Sequence, residues 1–270
     1  IGLSASTSYD FYVRDVCSAT SSSVWMGPIT AQTNCGIITA PSTESFDATF
    51  TEGTGFANTA STIDPCWTRT PSTGTTGFGN SNYHWGGGTG STPSNNTGPS
   101  SDHTTGSGSY AYVEASGQTG STASLITPFY DLDTLSTPEL RFWKHQYGNQ
   151  INNFKVVINN GSGWTTIHNS SGDQGNQWTE VVVSLVNYLT DTVQFKFITL
   201  KPTSGGAARG DVAIDDLVVA NAPTCLKPTN VAVTASTLTS ITLSWTTGGA
   251  SNWQIEYGPF GSVPGGGTIV

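Results

Sequence analysis

The chain has 270 residues, of which only 10% are charged, with 32 glycines and a formal net charge of −9. Average soluble domains carry about a quarter charged residues, and nine Lys and Arg in the whole chain cannot supply the basic stripe that nucleic acid or an anionic membrane surface requires. Glycine, serine and threonine between short apolar runs point to strands joined by polar turns; no segment shows helical periodicity with caps, and no apolar run reaches membrane-spanning length.

In chain order, Ser8-Tyr9-Asp10-Phe11-Tyr12-Val13 alternates polar and apolar side chains as a half-buried strand does, and Gly27 to Thr33 reads as its antiparallel return. Residues 1–34 form this first piece and Ile37 to Ser45 a linker. The central domain, 46–220, holds strand candidates at Tyr110–Ala115, Ser124–Thr127, Glu139–Tyr147, Phe154–Asn159, Trp178–Val183, Val193–Thr199 and Val212–Val219. Their number and spacing call for two packed β-sheets. Gly74 to Gly108 is too long for an ordinary connection and reads as a functional loop or a low-complexity excursion; it contains His84, Trp85, Asp102 and His103. Ala222 to Pro228 is a proline-marked hinge, after which Ser240-Ile241-Thr242-Leu243-Ser244-Trp245 alternates again. The two end pieces together have about 80 residues, against roughly 100 for a complete sandwich. Each is too short to bury a core alone. They read as two parts of one interrupted domain, and the chain as one unit of a repeating extracellular array whose leader peptide, if any, would lie upstream.

Four cysteines, Cys17, Cys35, Cys66 and Cys225, have no zinc-type spacing and imply an oxidising compartment. A hairpin over 8–33 puts Cys17 and Cys35 at opposite ends, roughly 25 Å apart at strand rise, beyond the ~7 Å a disulfide allows between Cα atoms. Cys35–Cys66 is therefore the expected bond. Cys17 is left for Cys225, in this chain or in a neighbouring copy.

The centre resembles a MAM domain. The resemblance rests on Phe46-Asp47, Cys66-Trp67, the run Gly98-Pro99-Ser100-Ser101-Asp102-His103-Thr104, Gly108 to Ala115, Leu125 to Pro128, Leu140-Arg141-Phe142-Trp143 through Gly148, and Asp211-Val212-Ala213-Ile214-Asp215-Asp216-Leu217. It covers 41–221 and implies an all-β jelly-roll sandwich of an extracellular protein engaged in adhesion and recognition. Asp47 stands where the family usually has Glu. The flanks, 1–34 and 225–270, resemble the last and first strands of fibronectin type III domains, through Gly2 to Arg14 and Trp25-Met26-Gly27-Pro28 on one side and Leu243-Ser244-Trp245 and Trp253 to Gly258 on the other. This arrangement is similar to repeats of Bacteroidetes cell-surface adhesins and secreted multi-modular proteins.

Ile214-Asp215-Asp216-Leu217 carries the chemical content. Strict alternation puts Asp216 in an apolar row with Val212, Ile214 and Val218, where a carboxylate must be paired or bound to a metal. Asp47 and Asp102 are its natural companions, and a site of Asp47, Asp102, Asp215 and Asp216 would suit a structural calcium ion, which the family resemblance also implies. The alternative is that these aspartates only accept hydrogen bonds. Arg141, Trp143, His145 and Tyr147 share one strand face; the row is either an aromatic platform for a glycan or packing beneath the long loop, and packing is the commoner use. Leu140 and Phe142 on the opposite face read as core. Arg209-Gly210-Asp211 matches an integrin-binding tripeptide too short to weigh against its place in a turn, and the sequons at Asn95, Asn160 and Asn169 are expected by chance in so Asn/Ser/Thr-rich a chain. No histidine sits in a nucleophile elbow or His-Glu pattern, and nothing joins Glu139 to Glu180 as a glycosidase pair. The chain reads as non-enzymatic. The functions that compete are an adhesive or structural module that assembles with neighbouring copies, a carbohydrate-binding module attached to a polysaccharide-degrading enzyme, and a plain spacer.

Overall fold

The computed structural model describes residues 2–53, 61–72, 83–116, 121–201, 208–261 and 265–270. Part of the long Gly74–Gly108 stretch, 74–82, lies outside them. The chain divides into two compact units, Ile1–Asn221 and Ala222–Val270.

The first unit opens with β1 (Ser8–Val13), β2 (Val16–Ser18), β3 (Ser21–Ser22) and β4 (Met26–Gln32). β1 and β4 pair antiparallel from Ser8↔Gln32 to Val13↔Met26, with the small β2–β3 hairpin between them. The alternation of β1 here buries no core: Phe11, Trp25 and Ile29 remain 47–72% exposed.

The sandwich follows. Its strands are β5 (Ile38–Thr39), β6 (Ser42–Glu44), β7 (Thr68–Thr70), β8 (Trp85–Thr89), β9 (Ser109–Val113), β10 (Thr122–Asp131), β11 (Pro138–Gln146), β12 (Asn153–Asn159), β13 (Trp164–Ser171), β14 (Trp178–Ser184), β15 (Thr192–Leu200) and β16 (Val212–Asn221). One sheet runs β13-β12-β15-β10-β5 with β7 also on β10; the other runs β14-β11-β16-β9-β8 with β6 on β16. Pairing is antiparallel apart from β5 on β10. In β15 the period of two is unbroken, with Val193, Phe195, Phe197 and Thr199 all buried and their neighbours half-exposed. Phe142, Phe154 and Phe197 from the two sheets pack on one another, with ring centroids 5.2–6.4 Å apart. Phe46, Phe50 and Trp67 close one part of the same core edge-to-face. The expected strands are present. Among those the sequence hid, β5 and β6 lie in the segment 37–45, which is part of the sandwich sheets rather than a linker; β7 is a short strand on β10; β13 has an Asn/Ser/Thr-rich surface that marks a sheet edge; and β8 carries Gly86-Gly87-Gly88, which looks like loop. Two of these glycines are required by close approach: a Cβ on Gly87 would lie 2.6 Å from the Thr51 nitrogen, and one on Gly88 would enter the rings of Tyr110 and Tyr112.

Cys35 and Cys66 form the expected disulfide, with Cα atoms 5.5 Å apart, tying the segment after β4 to the loop before β7. Cys17 and Cys225 are free, exposed thiols.

The second unit contains β17 (Thr229–Ser236), β18 (Ile241–Thr246), β19 (Glu256–Tyr257) and β20 (Thr268–Ile269), arranged as two antiparallel pairs. Val231, Val233 and Ile241 are exposed on its hairpin. An open groove of about 440 Å³ is lined by Cys225, Leu226, Trp245 and Trp253.

Candidate functional site

The site is built on the outer face of the β14-β11-β16-β9-β8 sheet, under the loop that precedes β9. It exists because β16 breaks its alternation. Opposite β11, the register passes from Arg141↔Val218 to Trp143↔Asp215, so Asp216 and Leu217 together face one residue of the partner strand. Asp216 takes a positive φ of 47°, a conformation that Asp tolerates better than most residues. The bulge corrects the face assignment drawn from strict alternation. Val212, Ile214, Leu217 and Val219 enter the core, while Asp216 leaves the apolar row and stands with Asp215 on the outer face. The cost of a carboxylate in the core is avoided by one inserted residue.

The 102–105 turn caps this pair. The backbone N–H of His103 donates to Asp215 Oδ2 at 2.9 Å, and its ring Nδ1 meets Asp216 Oδ2 at 2.7 Å. The Thr104 hydroxyl donates to the same oxygen. Burial, then the charges of Asp216 and Asp102, push the Asp215 carboxyl up to about 7. Asp102 organises its own turn: it accepts the N–H of Thr105 at 2.8 Å and the N–H of Gly108 at 2.9 Å. Burial opposes ionisation there, but these donors outweigh it and hold its carboxyl below the usual carboxylate range. Asp47 accepts the N–H of Ser109 at 2.7 Å.

The four aspartates therefore do not form one ring of ligands. They stand as two pairs, Asp215 with Asp216 about His103 and Asp47 with Asp102 about Gly108. Among the described residues no three His, Cys, Asp or Glu side chains gather as a metal-ligand set. In the second pair the two carboxylates close on one residue. A Cβ added to Gly108 would lie 2.5 Å from Asp47 Oδ1 and 3.0 Å from Asp102 Oδ2, so two carboxylate oxygens flank a position that only glycine leaves open. Asp47 is exposed, and among the described residues its second oxygen accepts no hydrogen bond.

The Arg141 row lies on the same face, and its parts have separate fates. His103 stacks on Trp143 at 3.7 Å and 16°, covering that face of the indole. Arg141 Nε pairs with Glu139 at 3.0 Å. His145 is buried against Trp178, with centroids 5.4 Å apart, and bonds Asn176 at 3.2 Å; burial pushes its pKa down to about 4. Trp178 continues the row to Tyr110 and Tyr112, and its indole N–H donates to the Ser101 carbonyl of the covering loop. This part of the row is packing beneath the loop. Tyr147, half-buried at its end, borders an open polar cleft of about 220 Å³. That cleft had no sequence signal: it is made by the 91–100 segment, which reads as low complexity.

Arg209-Gly210-Asp211 does not display its acid. Asp211 is fully buried, accepts the N–H of Ala115 at 2.8 Å, and is pushed up by burial and by Glu114. No helix among the described residues is long and apolar enough to cross a membrane.

The chain is 32% identical over 136 residues to Neuropilin-1a of Danio rerio, which covers 47% of this chain and 14% of that protein. It is 31% identical over 133 residues to Neuropilin-1 of Xenopus laevis, over 46% of this chain and 13% of that protein. The chain thus spans between about a seventh and a fifth of the length of the curated relatives it matches. Among solved structures, the K1 cleaved adhesin domain of Lys-gingipain from Porphyromonas gingivalis W83 aligns with a TM-score of 0.43 and 16% identity, over 68% of this chain and 99% of that one. The profile of the MAM domain, meprin/A5/mu, matches residues 74–226, more than half of the chain, and the disulfide-tied jelly-roll sandwich described above is the fold of a chain that belongs to the MAM domain family.

Proposed function

We propose that this chain is a non-catalytic adhesion and structural module of an extracellular or cell-surface repeat protein, and that its two end pieces, fibronectin type III-like in pattern, join neighbouring copies. One observation carries the reading. The sandwich is closed, whereas the first hairpin leaves Phe11, Trp25 and Ile29 exposed and the hairpin of the second unit leaves Val231, Val233 and Ile241 exposed, apolar side chains that a partner would cover. A hairpin of one copy laid on the groove lined by Leu226, Trp245 and Trp253 of the next would bury both, and main-chain pairing along exposed strand edges would add to it. Light scattering across a concentration series reads this directly, with mass expected to rise with concentration. Under oxidised glutathione, which takes up the two hydrogens lost by a pair of thiols, the exposed Cys17 and Cys225 should give covalent multimers that reducing agent dissolves and that Cys17→Ser prevents. A chain that stays monomeric at every concentration, with no thiol-linked multimer, sinks the reading.

Calcium belongs to the same reading as a structural brace. Asp47 and Asp102 would hold it beside Gly108, and it would offset the charge of Asp102, which helps to raise the Asp215 carboxyl. Calcium at about a hundred times its Kd should add about 2.7 kcal/mol and raise the melting temperature by about 5–10 °C over a chelated sample. Asp102→Asn should remove most of that rise, and equal melting temperatures with calcium and with chelator would exclude the brace.

Glycan recognition is the second reading, favoured by the neutral, hydroxyl- and amide-lined cleft beside Tyr147.

A further inference from the structure

We infer that the cleft between the 91–100 segment and Tyr147 is a binding site for a single neutral hexopyranose ring. This rests on the glycan-recognition reading and names its site and ligand class; it is independent of the assembly of copies.

The chemistry of the lining selects the ligand. Thr92, Asn95, Asn96, Ser100 and Asn176 bring hydroxyl and amide side chains, Tyr147 is the one aromatic residue of the lining, and no acidic or basic residue lines the cleft. An anion would need Arg or Lys there, and a cation would need carboxylates. A neutral polyol with an apolar ring face matches both the polar walls and the aromatic side. At about 220 Å³ the cleft is smaller than the ~300–1,000 Å³ of drug-sized sites, which limits it to one ring.

The donors and acceptors are available. Among the described residues, the side-chain amides of Asn95 and Asn96 make no hydrogen bond, nor does the Tyr147 hydroxyl, and Asn176 uses only its oxygen, on His145. Asn95 and Asn96 are exposed, so their amides are open to a ligand.

The segment is also held in place before any ligand arrives. Thr97 is the anchor: its hydroxyl donates to the Tyr147 carbonyl at 3.0 Å and accepts the Asp211 N–H at 2.9 Å. Gly98 N–H donates to the same Tyr147 carbonyl at 3.2 Å, the Thr92 hydroxyl donates to the Thr97 carbonyl at 3.2 Å, and Ser94 meets Ser116 at 3.1 Å. Asn96 and Gly98 both sit at a φ of 60°, and a side chain on Gly98 would strike Thr92. Such staples remove the ordering cost that a Ser/Asn-rich loop would otherwise add to binding. They also explain why an apparently low-complexity segment folds back onto the end of β11. Its buried hydroxyls satisfy one another while its amides face out.

The test uses the whole chain with methyl α- and β-glycosides of glucose, galactose, mannose and N-acetylglucosamine as probes. Chemical-shift titration reads the position of binding. The expected result is saturable, millimolar binding of at least one glycoside, with perturbations confined to the amides of 91–100, 147–148 and 176. Tyr147→Ala should weaken it about tenfold or more, and it leaves the Tyr147 carbonyl that staples the loop. Asn96→Gly keeps the positive φ, removes one amide and should weaken binding several-fold, while Trp143→Ala should leave affinity unchanged. Saturable binding whose perturbations centre on Trp143, or which Tyr147→Ala does not weaken, overturns this site but keeps glycan recognition. Binding of none of the glycosides, with the native fold intact, overturns both.

Discussion

His145 shows how one residue's surroundings become a property of the protein. It sits between Trp178 and Tyr147 on the sheet's outer face, under a loop that excludes water. Burial disfavours the imidazolium and pushes its pKa to about 4, below the ordinary value near 6.5. The sign follows from linkage. A group whose folded pKa is depressed contributes stability that is complete above about pH 6.5 and is lost as pH falls through about 4. His145 alone should therefore take up to about 3 kcal/mol from the fold across that interval. Denaturant titrations at several pH values are expected to show this slope as the difference between the native chain and His145→Gln, because Asp215, whose carboxyl is pushed up to about 7, acts with the opposite sign in both. An equal slope in both would place the acid sensitivity elsewhere. Asp216 teaches the complementary point. Its identity was legible as chemistry, but its face was not, because a positive φ at one residue reverses the alternation on which faces are assigned.

At the scale of elements, β15 and β8 mark the two ends of legibility. β15 carries its burial pattern in its own sequence, since every second residue is apolar or small and enters the core. β8 carries none: its glycines are there because Thr51 and the two tyrosines of β9 approach too closely for a side chain. Gly87→Ala puts a Cβ 2.6 Å from backbone that cannot rotate away, and a destabilisation of about 1–3 kcal/mol is expected in chemical denaturation. An unchanged midpoint would mean that β8 and the Thr51 segment part readily. β13 was missed for a different reason. An edge strand with one solvated face needs little apolar pattern, so Trp164 to Ser171 reads as polar loop.

On the scale of the molecule, stability and association are carried by different parts. Phe142 is fully buried where the two sheets meet, whereas Phe11 is about half exposed on an end hairpin. Phe142→Ala should cost about 3–5 kcal/mol of unfolding free energy, while Phe11→Ala should move monomer stability by about 0.5 kcal/mol or less and still weaken association of copies. Similar losses of stability from both substitutions would mean that the hairpin belongs to the same cooperative core.

The sequence by itself determined the all-β class, the two-sheet sandwich, the Leu140/Phe142 core face and the Cys35–Cys66 bond, because alternation, turn chemistry and cysteine reach are local or nearly local constraints. Tertiary structure alone decided that Asp216 faces outward, that His103 covers Trp143, that the aspartates stand as two pairs, and that a Ser/Asn-rich loop encloses a cleft beside Tyr147. Each depends on which strand or loop lies opposite, and a bulge or a loop fold changes that without changing the local pattern.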